Sequence, residues 1–138
     1  MNFAGAALFA AGLIAFASLV VGLFLLRRKV VVSAERSLAR CYDRLAASSE
    51  PQASNDVRLV FHTYHGFLVD FIQTEHAVFL PPDDARELLR RLNRFNLTWG
   101  LLCRGALFVY FLSPLNRIAQ SRSIRRQETA HLPRASAP

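Results

Sequence analysis

A chain of 138 residues suits one small domain with an appendage. Hydrophobic residues make up 52% of it, and 21 of the first 26 belong to that class, which excludes a disordered chain, a collagen-like repeat and a disulfide scaffold and argues against a wholly soluble protein. The formal charge of +7 calls for an acidic neighbour, and for a chain held at a membrane the anionic inner leaflet is the nearest one.

Phe3 to Leu26 runs for 24 residues without a charge. At about 1.5 Å per residue a helix of that length crosses a hydrocarbon core of roughly 30 Å, so it is expected to be transmembrane. Ala15-Phe16-Ala17 looks like a signal-peptide cleavage site. Against cleavage, no Lys or Arg precedes the apolar run, the run continues to Leu26, and Arg27-Arg28-Lys29 follows it. These features predict an uncleaved inner-membrane anchor over 1–29, with the N-terminus outside and residues 27–96 cytoplasmic. Ala4, Ala7, Ala11, Ala15, Ser18 and Gly22 recur every three or four residues and line one face of this helix. Small residues let backbones approach closely in lipid, so the seam is a candidate contact with another membrane protein or a second copy. Eleven of the first 26 positions are Gly, Ala or Ser, so such a stripe also arises without a partner.

Over 30–50 the pattern predicts a juxtamembrane helix that continues the anchor, with Val31, Ala34, Leu38, Cys41 and Leu45 on one side and Arg36, Arg40 and Arg44 on the polar side. Ser48 to Asn55 is Ser-rich and carries Pro51, which places a linker at 51–56.

Residues 57–80 can be written as a helix with Val60, Tyr64, Phe67, Leu68, Phe71 and Ile72 on one face. Half of the 24 residues are β-branched or aromatic, however, and favour strands. The expectation is a small antiparallel β-meander. Its first turn is His65-Gly66, pairing Tyr64 with Phe67, His62 with Val69 and Val60 with Phe71, and a second turn near Thr74-Glu75 leads to a third strand, His76 to Leu80. Both faces of such a sheet are apolar, so both require cover. Pro81-Pro82 then starts an amphipathic helix over about 82–96, with Asp83, Asp84 and Glu87 at its beginning and Leu88, Leu89, Leu92 and Phe95 as its stripe. Strands, a proline break and one helix in this order resemble the closing elements of small PH-like domains on bacterial membrane proteins. The resemblance covers about forty residues and implies no function.

The second apolar segment, 97–115, holds one charge, Arg104. Nine Leu, Phe or Val residues favour insertion by about 3–5 kcal/mol and a central Arg opposes it by about 2.5–3.5, so the sum does not choose between a spanning helix, an interfacial or buried helix, and further strands. In a spanning helix Arg104 would be an intramembrane polar site facing a carboxylate or polar cavity. The α+β unit is thus bounded at 57–115, with a basic tail over 116–138 that forms a short helix at 114–129 and is disordered from Leu132. Arg27, Arg28, Lys29, Arg117, Arg122, Arg125 and Arg126 are candidate contacts for anionic membrane lipid. Nucleic acid is not an expected partner, because no recognition signature accompanies the arginines.

His62, His65 and His76 with Asp70 and Glu75 form the one cluster resembling a metal site. Strand geometry puts His62 and His65 on opposite faces, whereas a helix would let them converge. No catalytic, cofactor or metal residues are assigned, and Cys41 and Cys103 fit a reducing compartment. No nucleophile, phosphate-loop or zinc-protease pattern occurs. The expected function is that of a noncatalytic accessory or scaffold subunit of a membrane complex. The alternatives are a surface module binding anionic lipid and, more remotely, a metal-dependent activity at the histidines.

Overall fold

A computed structural model describes residues 3–131, an α+β chain with three helices and one two-stranded antiparallel sheet. Met1, Asn2 and the expected disordered end from Leu132 lie outside the described residues. Helix α1, Phe3–Cys41, is 39 residues long and unbroken, so the expected anchor and juxtamembrane helix form one rod of about 58 Å. It is the one helix among the described residues long and apolar enough to cross a membrane, and its apolar side chains from Leu8 to Leu26 all stand exposed. Beyond Arg27 the same helix turns Ala34 and Cys41 into the core. It ends where Arg44 adopts a left-handed conformation (φ 63°). There the Arg91 guanidinium donates to the carbonyls of Cys41 (3.3 Å) and Asp43 (2.9 Å), supplying partners that a helix end otherwise lacks.

Strands β1, Val57–His65, and β2, Ile72–Leu80, pair from Val57↔Leu80 to His65↔Ile72. This corrects the expected meander: there are two strands rather than three, His65-Gly66 is not a two-residue turn, and Thr74-Glu75 lies within β2. The six-residue connection, 66–71, is held by contacts that no local pattern reveals. The Leu68 N–H donates to the Leu102 carbonyl (2.9 Å), and Arg27 forms a two-point ion pair with Asp70. Gly66 has φ +154°, and a Cβ there would overlap the Asp70 carbonyl, so this position requires glycine. Leu68, Val69 and Phe71 lie in the connection and not on a sheet face. Val57, Leu59, Phe61, Thr63 and His65 are buried on one face, while the other carries Arg58, His62, Glu75 and Gln73 together with half-buried Val60 and Phe79 and buried Tyr64. The second face is covered at one end, where Tyr64 packs with Cys103 and Val109 of the apolar segment 97–115.

Helix α2, Pro82–Trp99, has Pro82 in its first turn together with Asp83 and Asp84. Its buried stripe contains Ala85, Leu88, Leu89, Leu92 and Phe95, as the spacing predicts, and also Asn93 and Asn96. The apolar segment 97–115 is neither one spanning helix nor a set of strands. Residues 97–99 finish α2, Gly100–Leu102 form a 3-10 turn, and α3 begins at Ala106. The break is fixed by packing: a Cβ on Gly100 would lie 2.6 Å from Val109 and one on Gly105 would lie 2.5 Å from the Phe71 ring, so the chain folds back tightly at both glycines.

Helix α3, Ala106–His131, passes through Pro114 and absorbs the expected basic tail up to residue 131. That segment belongs to the folded unit, because Ile124 is buried in the core with Val57, Leu80 and Leu92, and Glu128 pairs with Arg86. Two side-chain amides seal the outer edge of β1. Gln127 accepts from the Arg58 N–H (2.8 Å) and donates to its carbonyl (3.0 Å). Asn96 accepts from the Tyr64 N–H (2.9 Å) and donates to the His62 carbonyl (2.9 Å). Across the sheet, Ser48 makes a two-bond bridge to Phe79 of β2.

Candidate functional site

The antiparallel run of α1 past α2 gives the α+β unit two ends. At the far end, the Ala46 N–H donates to Asp84 at the start of α2. At the near end, Arg27 reaches Asp70, so the 66–71 connection sits where the apolar run of α1 stops. The Leu68 bond to Leu102 brings the 3-10 turn to the same end, and the packing of Gly105 on Phe71 brings the start of α3.

The sequence-predicted residues fall into separate places. Ala7, Ala11, Ala15, Ser18 and Gly22 lie along the exposed apolar part of α1, while the side chain of Ala4 lies outside the described ones. Arg27, Arg28 and Lys29 are exposed at the near end. Arg104 is exposed there too, beside a groove of about 410 Å³ lined by Tyr64, Phe71, Gln73, Phe108 and Leu112. None of the ion pairs among the described residues involves Arg104, so it is not matched to a carboxylate. Arg117, Arg122, Arg125 and Arg126 are exposed farther down α3, from about 16 to about 30 Å beyond Ala106 at 1.5 Å per residue. The arginines therefore do not form one patch.

The histidines divide by strand face. His62 lies on the exposed face, its Nε2 3.4 Å from Glu75, whereas His65 and His76 share the covered face. Among the described residues no group of three or more His, Cys, Asp or Glu is placed to hold a metal ion. His76 is tied at both nitrogens, Nδ1 to the Tyr42 hydroxyl (2.7 Å) and Nε2 to the Thr63 hydroxyl (2.8 Å). Burial pushes the Tyr42 phenol up to about 12, and in the neutral ring one His76 nitrogen donates to its hydroxyl partner while the other accepts. Burial holds His76 below the usual histidine range, with the charges of His62 and His65 acting in the same direction. Burial lowers His65 as well, against the opposing charge of Glu35, and its buried Nδ1 has no hydrogen-bond partner.

These shifts fix the sign of a pH effect. Both histidines bind a proton less readily folded than unfolded, so their contribution to stability is complete above about pH 6.5 and is lost as the pH falls through their lowered values. The urea midpoint of the detergent-solubilised protein is expected to be lower at pH 5 than at pH 7.5, and His76→Phe to flatten that dependence. An equal midpoint at both pH values in the wild type would contradict the assignment.

Sequence reasoning missed the buried polar network behind β1. Asn96, fully buried, also donates to the Ser113 hydroxyl (3.2 Å), which donates to Asn93 (3.1 Å). Two asparagines one helical step from Leu92 and Phe95 were the available signal. Burial also pushes the Cys41 thiol up, so it is a poor nucleophile in place. No protein-family model matches the chain, and neither a curated protein nor a solved structure matches it.

Proposed function

We propose that this protein is a small noncatalytic accessory or scaffold subunit of a membrane complex, anchored in the inner membrane by α1 with its α+β unit on the cytoplasmic side. The observation that carries this reading is the continuity of α1: one unbroken helix is both the apolar membrane-span candidate and a packing element of the core through Ala34 and Cys41. Such a construction fixes the unit's height and orientation relative to the helix, which suits a part that positions neighbours. The cluster Arg27-Arg28-Lys29 directly after the apolar run favours the cytoplasmic placement.

The test is gentle detergent extraction from the native membrane, followed by sizing and mass spectrometry of what copurifies. A stoichiometric larger complex is expected, and Ala11→Leu with Ala15→Leu is expected to weaken it by crowding the small-residue face. A lone monomer from wild-type membranes would overturn the reading.

A further inference from the structure

Exposed apolar side chains are not spread evenly over the α+β unit. At the near end they come from two stretches of sequence, Leu68 and Val69 in the 66–71 connection and Leu101, Leu102, Leu107 and Phe108 in the 3-10 turn and the first turn of α3, and the exposed apolar surface continues from there along α3 through Phe111 and Leu115 to Ile118. Val69 is 78% exposed and Leu107 76%, values a folded unit does not normally leave to water in such a cluster. The contacts that gather them are specific, namely Leu68 to Leu102, Gly105 on Phe71, and Asp70 to Arg27.

We propose that this end of the unit is an apolar lip inserted into the cytoplasmic leaflet of the bilayer that α1 crosses. The inference rests on α1 spanning the membrane but needs no partner subunit. Its occupant follows from position. Arg27 is the first charge after 24 uncharged residues and marks the headgroup level, and its ion pair with Asp70 holds Leu68 and Val69 at that level. The apolar surface of the lip is therefore continuous with that of α1, and a soluble partner docking there would have to displace lipid.

Charge agrees with this placement. Within 66–72 and 100–112 the one acid is Asp70, already paired with Arg27, and the one base is Arg104, whose long side chain can reach a lipid phosphate from beside its apolar groove. Arg28 and Lys29 stand exposed at the same level. The arginines from 117 to 126 lie about 16 to 30 Å farther along α3 than Ala106, and in this placement they stand in water.

The test is spin labelling of the full-length protein in vesicles of mixed zwitterionic and anionic phospholipid, comparing collision with oxygen, which partitions into lipid, and with a water-soluble nickel chelate. Labels go on Val69→Cys and Leu107→Cys, whose side chains make little core contact. Arg122→Cys serves as the water reference and Leu13→Cys as the membrane reference. The wild type, with Cys41 and Cys103 buried, supplies the blank. The oxygen-to-nickel ratio at 69 and 107 is expected to exceed that at 122 severalfold and to approach that at 13. A water-like ratio at either lip position with a lipid-like ratio at 13 would overturn the lip and leave the anchor standing. A water-like ratio at 13 would overturn both.

Discussion

Asn96→Ala is expected to destabilise the α+β unit by about 2–4 kcal/mol, the cost of leaving two buried backbone groups without partners. The amide of Asn96 is the hydrogen-bond partner of the Tyr64 N–H and the His62 carbonyl, and its fully buried position keeps both groups away from bulk water. The loss extends to α3, because the Ser113 hydroxyl accepts from the same amide while donating to Asn93. Gln127→Ala provides the internal comparison. It removes two bonds of the same kind at the other end of β1, but in an exposed setting where water takes over, so its cost is expected to stay below about 1 kcal/mol. Urea denaturation of the detergent-solubilised full-length proteins measures both. Equal costs for the two variants would mean that burial of the Asn96 network is not what matters.

The second large effect concerns the joint between α1 and the rest of the α+β unit. Ala34 has no exposed surface and sits in one core cluster with Leu92 and Phe95 of α2. Ala34→Glu would bury an unpaired carboxylate there, at a cost of about 3–5 kcal/mol with α1 docked. The lower-energy outcome is for α1 to lift away from α2, and Cys41 reports it. Its thiol is buried in the native packing and should become reactive toward a maleimide once the helix separates. Ala39→Glu places the same group on an exposed part of the same helix and is expected to leave Cys41 protected. Unchanged Cys41 reactivity in the Ala34 variant would show that the joint tolerates the charge and that α1 is not held by this packing.

How far the sequence foretold this arrangement differs from element to element. The α1 rod was legible because 24 uncharged residues followed by a heptad-like apolar pattern leave few alternatives, and α2 was legible from Pro82, its acidic first turn and the Leu88, Leu89, Leu92, Phe95 stripe. The strand character of 57–65 and 72–80 was carried by β-branched and aromatic residues. Their register was not legible, since Gly66 suggested a tight turn while the true connection is set by Leu102 and Arg27, 34 and 41 residues away from Leu68. The long α3 was hidden for a related reason. Its deeply buried positions, Val109, Ser113 and Ile124, are too sparse to write an apolar stripe, and one of them is polar. The apolar residues of the lip were visible as residues, but period-2 alternation assigned those of the connection to sheet faces, and only tertiary contacts bring the connection to the 3-10 turn and the start of α3.

The amide seal on β1 also bears on self-association. A strand edge with free N–H and C=O groups is a template for pairing with another chain, and a two-stranded sheet has two such edges. On β1 the template is interrupted at Arg58 by a glutamine from the last turns of α3 and at His62 and Tyr64 by an asparagine from α2. On β2, the backbone of Ser48 pairs with Phe79 and takes up both of its edge groups. The C-terminal turns of α3 thus act as a guard against runaway strand addition, and during synthesis that guard arrives after the strand it protects. A nascent chain stalled before Gln127 would carry a half-open β1 edge, open to pairing with others of its kind.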